Sequence, residues 1–338
     1  MSISKLIGIL SNIGTTEATI IANDGKLTIY SESEGVKTYA EVDSDIELPK
    51  ITVDVSQFSE ALKRAEGAEL VITHEHPKLT LKTSNMHVEL SVKESNVTIP
   101  NIPSGDCFET IDFEGLKTAF TKTVGAASKD RARPHLAAVH IDGHKIMATD
   151  GRAMSVYDME SETFKDKKFA LNSDFVKHIL KVGKKERTAN IYLTEHLFYV
   201  KLGDTIFIAR RGEPFKMDYE QILKESLRAD HNALITTDDL KKALKSLKPT
   251  LKQDGNYLNI ALKENKTLLK AGDFSIDIAS VYNSEPCQVT LNSKYVETFL
   301  KTAGATMNMV VKNENAPVVM TTNNDENHTF VLMPIRTR

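Results

Sequence analysis

One pattern returns three times along this chain, and nothing else in the sequence restricts its fold as strongly. Val53 to Thr73 (VDVSQFSEALKRAEGAELVIT) reads as a strand, a serine cap, a short amphipathic helix, a polar turn and a second strand. Phe169 to Thr194 (FALNSDFVKHILKVGKKERTANIYLT) and Val289 to Lys312 (VTLNSKYVETFLKTAGATMNMVVK) keep that order. Ser56, Ser173 and Ser293 stand two residues before Phe58, Phe175 and Tyr295, at offsets of 117 and 120 residues. Self-similarity at a near-constant spacing marks a repeated structural unit. A chance likeness between helices of any α+β chain is the alternative, but it does not explain three copies in register.

A serine at that place can accept a hydrogen bond from free helix N–H groups. Phe175, Ile179 and Val182 form one apolar stripe, so the helix must lie on something apolar. Strands supply it, because Val88-Leu90-Val92, Ile191-Leu193 and Tyr199-Lys201-Gly203 alternate as half-buried antiparallel strands do. A weaker half-unit precedes the second and third copies. Asp112 to Val124 and Asp238 to Lys248 are capped amphipathic helices. They lead into the strand pairs His140-Ile141 with Ile146-Ala148 and Leu258-Ile260 with Leu268-Lys270. Ser4 to Leu10 is the degenerate first copy. The expectation is an α+β architecture of three repeated domains, 1–105, 106–229 and 230–338, with boundaries near Gly105 and Asp230.

A chain of 338 residues, 41% hydrophobic and 26% charged, can fill several cores. No run approaches the roughly 18 apolar residues of a membrane span, and MSISKLIGIL is not built like a secretion signal, so a cytoplasmic protein without membrane contact is expected. Cys107 and Cys287 have no CxxC spacing and suggest neither a disulfide framework nor a zinc site.

The formal net charge of −3 argues against an evenly basic surface, so the distribution of charge decides whether nucleic acid is a partner. On Asp238 to Lys248, Leu240, Ala243, Leu244 and Leu247 make the apolar stripe, and Lys241, Lys245 and Lys248 follow on the opposite side. Lys252 extends the row in sequence, with Pro249 expected to end the helix before it. Lys177, Lys181, Lys184 and Lys185 repeat the arrangement after Ser173, Lys117 and Lys122 lie on the helix from Asp112, and Lys129, Arg131 and Arg133 form a basic loop. Segregated basic faces in an acidic chain suit sequence-independent contact with phosphates. Lysines that merely solvate exposed helix faces are the ordinary alternative. No base-reading motif such as a helix-turn-helix or zinc finger is present.

At Ala148-Thr149-Asp150-Gly151-Arg152-Ala153-Met154 and at Val331-Leu332-Met333-Pro334-Ile335-Arg336 the chain resembles the bacterial sliding clamp, the beta subunit of DNA polymerase III. ITVDVSQFSEALKRAEGAELVI, Phe215 to Leu223 (FKMDYEQIL) and Leu291 to Val296 match it as well, in the family order and nearly end to end. The resemblance implies a DNA clamp fold, with helices lining a ring and antiparallel sheets outside. It also implies a homodimer that encircles double-stranded DNA, needs no cofactor, and tethers the DNA polymerase catalytic subunit, the clamp loader and other clamp-motif proteins.

Their motif would enter a cleft carried over here onto Leu136, Thr149, Gly151, Arg152, Met154, Met217, Gln221, Ile222, Asn292, Tyr295, Val331, Met333, Pro334, Ile335 and Arg336. Val88 and Leu90 would form an edge strand that meets a neighbouring chain near Leu247 and Leu251. The chain departs from the family where His-Arg-Leu is replaced by Arg152-Ala153-Met154, where Met217 and Gln221 replace the usual Pro and Arg, and where Thr337-Arg338 replace a terminal Leu. A polymerase with a nonstandard motif is the partner these departures suggest.

An enzyme is not indicated: no P-loop, GxSxG, GxGxxG or HExxH pattern occurs. His74 and His76 share a strand face without a third ligand, so no metal is expected. A clamp-fold decoy that binds partners without loading onto DNA is the second reading, and the lysine rows argue against it.

Overall fold

In a computed structural model that describes residues 2–33, 35–214, 216, 218–227, 231–323 and 325–336, the repeated sequence pattern becomes a repeated run of elements. The helices among the described residues are α1 (Ile3–Asn12), α2 (Val55–Arg64), α3 (Phe113–Thr123), α4 (Ser173–Val182), α5 (Tyr219–Leu227), α6 (Thr237–Gln253) and α7 (Ser293–Leu300). Three times the chain runs through one helix, four strands, a second helix and three strands. α1 and α2 belong to the first run, α3 and α4 to the second, α6 and α7 to the third. The sheets are antiparallel, which gives an α+β fold.

The helix starts differ in detail from the serine-cap expectation. Asp54 Oδ1 accepts from the Gln57 N–H at 2.8 Å and so caps α2, and Asn292 Oδ1 accepts from the Lys294 N–H at 3.0 Å and caps α7. Ser56 and Ser293 therefore lie in the first turn. A carboxylate or amide just upstream satisfies the free N–H groups instead.

By internal contacts the chain divides into two units, Met1–Glu114 with Asp174–Arg211 and Gly115–Ser173 with Gly212–Arg338. In the first unit a nine-stranded sheet joins strands of the first and second runs, with Val36–Asp43 paired to Thr205–Arg210 and Tyr39 opposite Ile206. A three-stranded sheet ends on His87–Ser91, whose outer edge has no partner among the described residues. Leu6 and Leu10 from α1 and Phe58 and Leu62 from α2 are buried against Ile20, Ile51 and Leu81 of these sheets. Each such side chain contributes about 1.5–3 kcal/mol by leaving water.

In the second unit a twelve-stranded sheet contains a junction of the same kind, Ala153–Asp158 paired to Asp325–Leu332 with Met154 opposite Val331. Phe274 to Ala279 of the strand Phe274–Val281 pair with Lys266–Ala271, but on its other side only Ser280 and Val281 are paired among the described residues, to Ile235 and Leu234. Most of that edge is open, and Phe274 and Val281 on it are 65% and 57% exposed.

α6 corrects two expectations. Pro249 lies inside the helix, which continues to Gln253, and Lys252 belongs to it. Proline removes the bond to the Lys245 carbonyl, yet Leu247 and Leu251 on either side of it are only 2% exposed, so burial of the apolar stripe holds the helix through the defect. The same burial removes Leu247 and Leu251 as apolar contacts for another chain, because their side chains already fill this unit's core. Leu90 is likewise buried, at 8% exposure, while Val88 is half-buried on the open edge strand.

Candidate partner cleft and basic faces

The cleft residues among those described all fall in the second unit. A tight turn after Lys145–Thr149 organises the polar side: Thr149 Oγ1 donates to the Ala153 carbonyl at 2.7 Å and accepts from the Gly151 N–H at 3.0 Å. Asp150 Oδ1 accepts from the N–H groups of Arg152 and Ala153 at 2.8 and 3.0 Å. Gly151 has φ +89°, a conformation a side chain would strain, which explains glycine at the centre of the turn. From α7, the Tyr295 hydroxyl donates to Asp150 Oδ2. Burial, then this bond to a carboxylate, pushes the phenol up to about 12, so it stays a donor.

Beyond Leu332 the backbone keeps bonding: the Met333 N–H donates to the Arg152 carbonyl and the Ile335 N–H to the Thr290 carbonyl, both at 2.8 Å. The C-terminal segment thus runs beside the turn, with Met333 46% exposed, Pro334 and Ile335 half-buried and Arg336 exposed. Below it Met154 and Val331 pack with Met147, Val156, Val319 and Tyr219, and Ile222 and Leu223 lie against that cluster. α5 is held over it by the Tyr219 hydroxyl, 3.3 Å from Asp142, and by Lys145 with Glu220 at 2.7 Å.

The structure therefore gathers Met154, Val331 and Ile222 in one apolar floor and links Thr149, Gly151, Arg152, Tyr295 and Met333 around one turn. Asn292 is engaged as the α7 cap. Gln221 is exposed and bonded to Glu225, and Leu136 is half-buried on the loop before Ala138–Asp142. Met217 lies outside the described residues. Sequence reasoning missed Met147, Val319 and Tyr219, which complete the floor. Their alternation along strands and their place on α5 were the available signal.

The basic faces sort unevenly. Lys241, Lys245, Lys248 and Lys252 are exposed on the side of α6 away from its core stripe, and only Lys241 has an ion-pair partner among the described residues, Asp238 at 4.0 Å. Lys301, which sequence reasoning missed, joins Lys241, Lys245 and Lys248 around a groove floored by Leu244 and Leu300 between α6 and α7. Lys177, Lys181, Lys184 and Lys185 are exposed, with Lys177 bridged to Asp174 at 3.1 Å. Lys117 is half-buried. Lys129, Arg131 and Arg133 are exposed on their loop, and Arg133 pairs with Asp130 at 2.9 Å. The backbone N–H of Ala132 and the Arg133 guanidinium hold the Asp130 carboxyl below its usual range.

Lys122 is a correction. Its ammonium lies 2.9 Å from Asp325 and donates to the Thr302 carbonyl, with only 14% of the side chain exposed. A cation so committed is a structural group and is not offered to phosphates.

Comparison with solved structures gives the architecture a name. A sliding clamp of Bartonella birtlesii, DNA polymerase III subunit beta bound to griselimycin, superposes with a TM-score of 0.86 at 19% identity, covering 100% of this chain and 99% of that one. The chain has the sliding-clamp fold. A DNA polymerase sliding clamp of Pseudomonas aeruginosa matches the clamp fold of this chain at TM-score 0.87 and 15% identity, over 100% and 99% of the two chains. The beta subunit of Thermotoga maritima does so at 0.85 and 16%, over 100% and 98%. No protein-family model matches the sequence, and no curated protein matches it by sequence.

Proposed function

We propose that this chain is a DNA sliding clamp, a non-enzymatic processivity factor whose two copies close around duplex DNA and tether a polymerase and other motif-bearing partners. The observation that carries the reading is the lysine face of α6 within a threefold clamp fold. Exposed cations on a helix whose other side is core give phosphate contact without base reading, which is what sliding requires. The three runs of elements support three domains, 1–105, 106–229 and 230–338. Exposed Met333 and half-buried Pro334 and Ile335, running beside the Thr149 to Ala153 turn, suit an apolar anchor from a partner peptide.

Ring closure follows from the strand logic. Twice, the third strand of a four-strand set pairs with the last of a three-strand set: Val36–Asp43 with Thr205–Arg210, and Ala153–Asp158 with Asp325–Leu332. The strands left over by that rule are Phe274–Val281 and His87–Ser91, and both have open edges. Between two copies they can pair twice, head to tail, which closes a two-membered ring and covers both of these open edges. Phe274 and Ile276 then take the interface role first assigned to Leu247 and Leu251, opposite the strand that carries Val88 and Leu90.

Sedimentation equilibrium tests this directly. Twice the 37.6 kDa chain mass is expected, and Phe274→Asp is expected to shift the population to monomer with an unchanged melting profile of the monomer. A wild-type monomer at all concentrations, or a dimer indifferent to Phe274→Asp, contradicts the proposed closure.

A further inference from the structure

The two strand junctions are alike in a second respect. At Ala153–Asp158 and Asp325–Leu332 an apolar cluster is covered by α5. At Val36–Asp43 and Thr205–Arg210, in the first unit, Tyr199, Ile206 and Ile208 form the buried part of a corresponding cluster, with Tyr39, Ile102 and Phe108 among the residues packed on it. Here the cover is much shorter, a 3-10 turn at Gly105–Cys107 with Phe108 behind it. Phe108 stands 6.4 Å from Tyr199, ring centre to ring centre. Between the turn and the sheet a cavity of about 360 Å³ remains.

Its wall is polar on one side. Asn190 and Lys201 face each other across neighbouring strands and both line the cavity. Glu41 is already engaged, by Lys26 at 2.9 Å and by the Tyr39 hydroxyl. Lys201 has no ion-pair partner among the described residues. Asn190 accepts from the Thr110 hydroxyl at 2.7 Å through its oxygen, which leaves its N–H groups to donate. An uncompensated ammonium and an amide donor beside aromatic rings complement a carboxylate next to a ring.

We infer that this cavity is a second docking site, one that takes an aromatic side chain flanked by acidic residues from a linear peptide of a partner protein. The ring enters between Phe108, Tyr39 and Ile206, and a flanking carboxylate meets Lys201 and Asn190. The site goes beyond the clamp reading and stands on first-unit geometry alone.

The test uses the full chain labelled with 3-fluorotyrosine, the Tyr39 resonance being assigned through Tyr39→Phe. The probe is the capped peptide acetyl-Glu-Asp-Phe-Asp-Glu-amide. A saturable shift of Tyr39 is expected, with Tyr219 and Tyr295 unmoved. Lys201→Glu is expected to weaken the peptide at least about tenfold, as loss of a charge-assisted contact does, without changing the melting temperature. The neutral peptide with Gln and Asn for Glu and Asp should bind more weakly on wild type. A static Tyr39 signal, equal affinity of the two peptides, indifference to Lys201→Glu, or a shift confined to Tyr219 or Tyr295 overturns the inference. Retention of Lys201→Glu on circular DNA reports on the clamp reading separately.

Discussion

His328 and Lys122 show how single side chains fix the second unit. The Ser155 hydroxyl donates to the Lys122 carbonyl at 2.9 Å, so its lone pair accepts from His328 Nε2, also at 2.9 Å. His328 is fully buried and stacked on Phe299 at 5.6 Å, and its other nitrogen has no hydrogen-bond partner among the described residues. Burial, helped by the Lys122 charge and opposed by Asp325, pulls its pKa down to about 4. A base with a folded pKa below its unfolded value stabilises the fold fully above about pH 6.5 and loses that contribution as pH falls toward 4. The span amounts to about 3 kcal/mol. His328→Gln, which keeps a donor for Ser155, should therefore flatten the fall of unfolding free energy between pH 6.5 and 4 in urea titrations. An acid profile parallel to that of wild type would show that His328 does not carry it. Breaking the Lys122–Asp325 pair with Lys122→Ala should cost up to about 3 kcal/mol of stability, because a half-buried carboxylate is left without its cation. It should leave the salt dependence of DNA binding unchanged, and a reduced salt dependence would return Lys122 to the phosphate-contact set.

At the scale of elements the sequence was most legible where periodicity and core coincide. The stripe of Leu240, Ala243, Leu244 and Leu247 is buried as its spacing required, whereas Val92 and Gly203 fall just outside the strands expected to hold them, and Leu197–Leu202 is largely buried on both faces instead of one. What escaped the reading depends on contacts distant in sequence. Lys122 reads as one more helix lysine until Asp325 is brought beside it, and Lys301 joins the α6 row only once α7 packs there. Pro249 misled because local propensity was overruled by burial of Leu247 and Leu251 on either side. Pro249→Ala restores an N–H for the Lys245 carbonyl and should raise the midpoint of thermal unfolding, a gain of up to about 3 kcal/mol. An unchanged or lower midpoint would mean that the helix is strained for another reason. Lys245→Ala and Lys248→Ala should each lower the slope of log affinity for duplex DNA against log salt by about 1, with little dependence on DNA sequence. Unaltered slopes would assign those lysines to solvation alone.

For the whole molecule, the repeat was visible in three serine and aromatic pairs, whereas the closing edges were not. Sequence pointed to Leu247 and Leu251, which are apolar in the right region but spent on the core. Phe274 and Ile276 became candidates only when sheet order and register showed which strand edges are open. The short motifs around Met154 and Val331 marked two residues of one apolar cluster, and the rest of it needed the packing of Tyr219 and Val319 from separate elements. The most direct test of a ring is topological. The chain would be loaded by a competent clamp loader onto nicked circular duplex DNA, and retention measured before and after the circle is cut once. Retention on the circle and loss on linearisation are expected, because a closed dimer slides off a free end. Equal retention on both forms would reduce the interaction to charge attraction and contradict encirclement, and no retention on the circle would favour a clamp-fold protein that binds partners without loading.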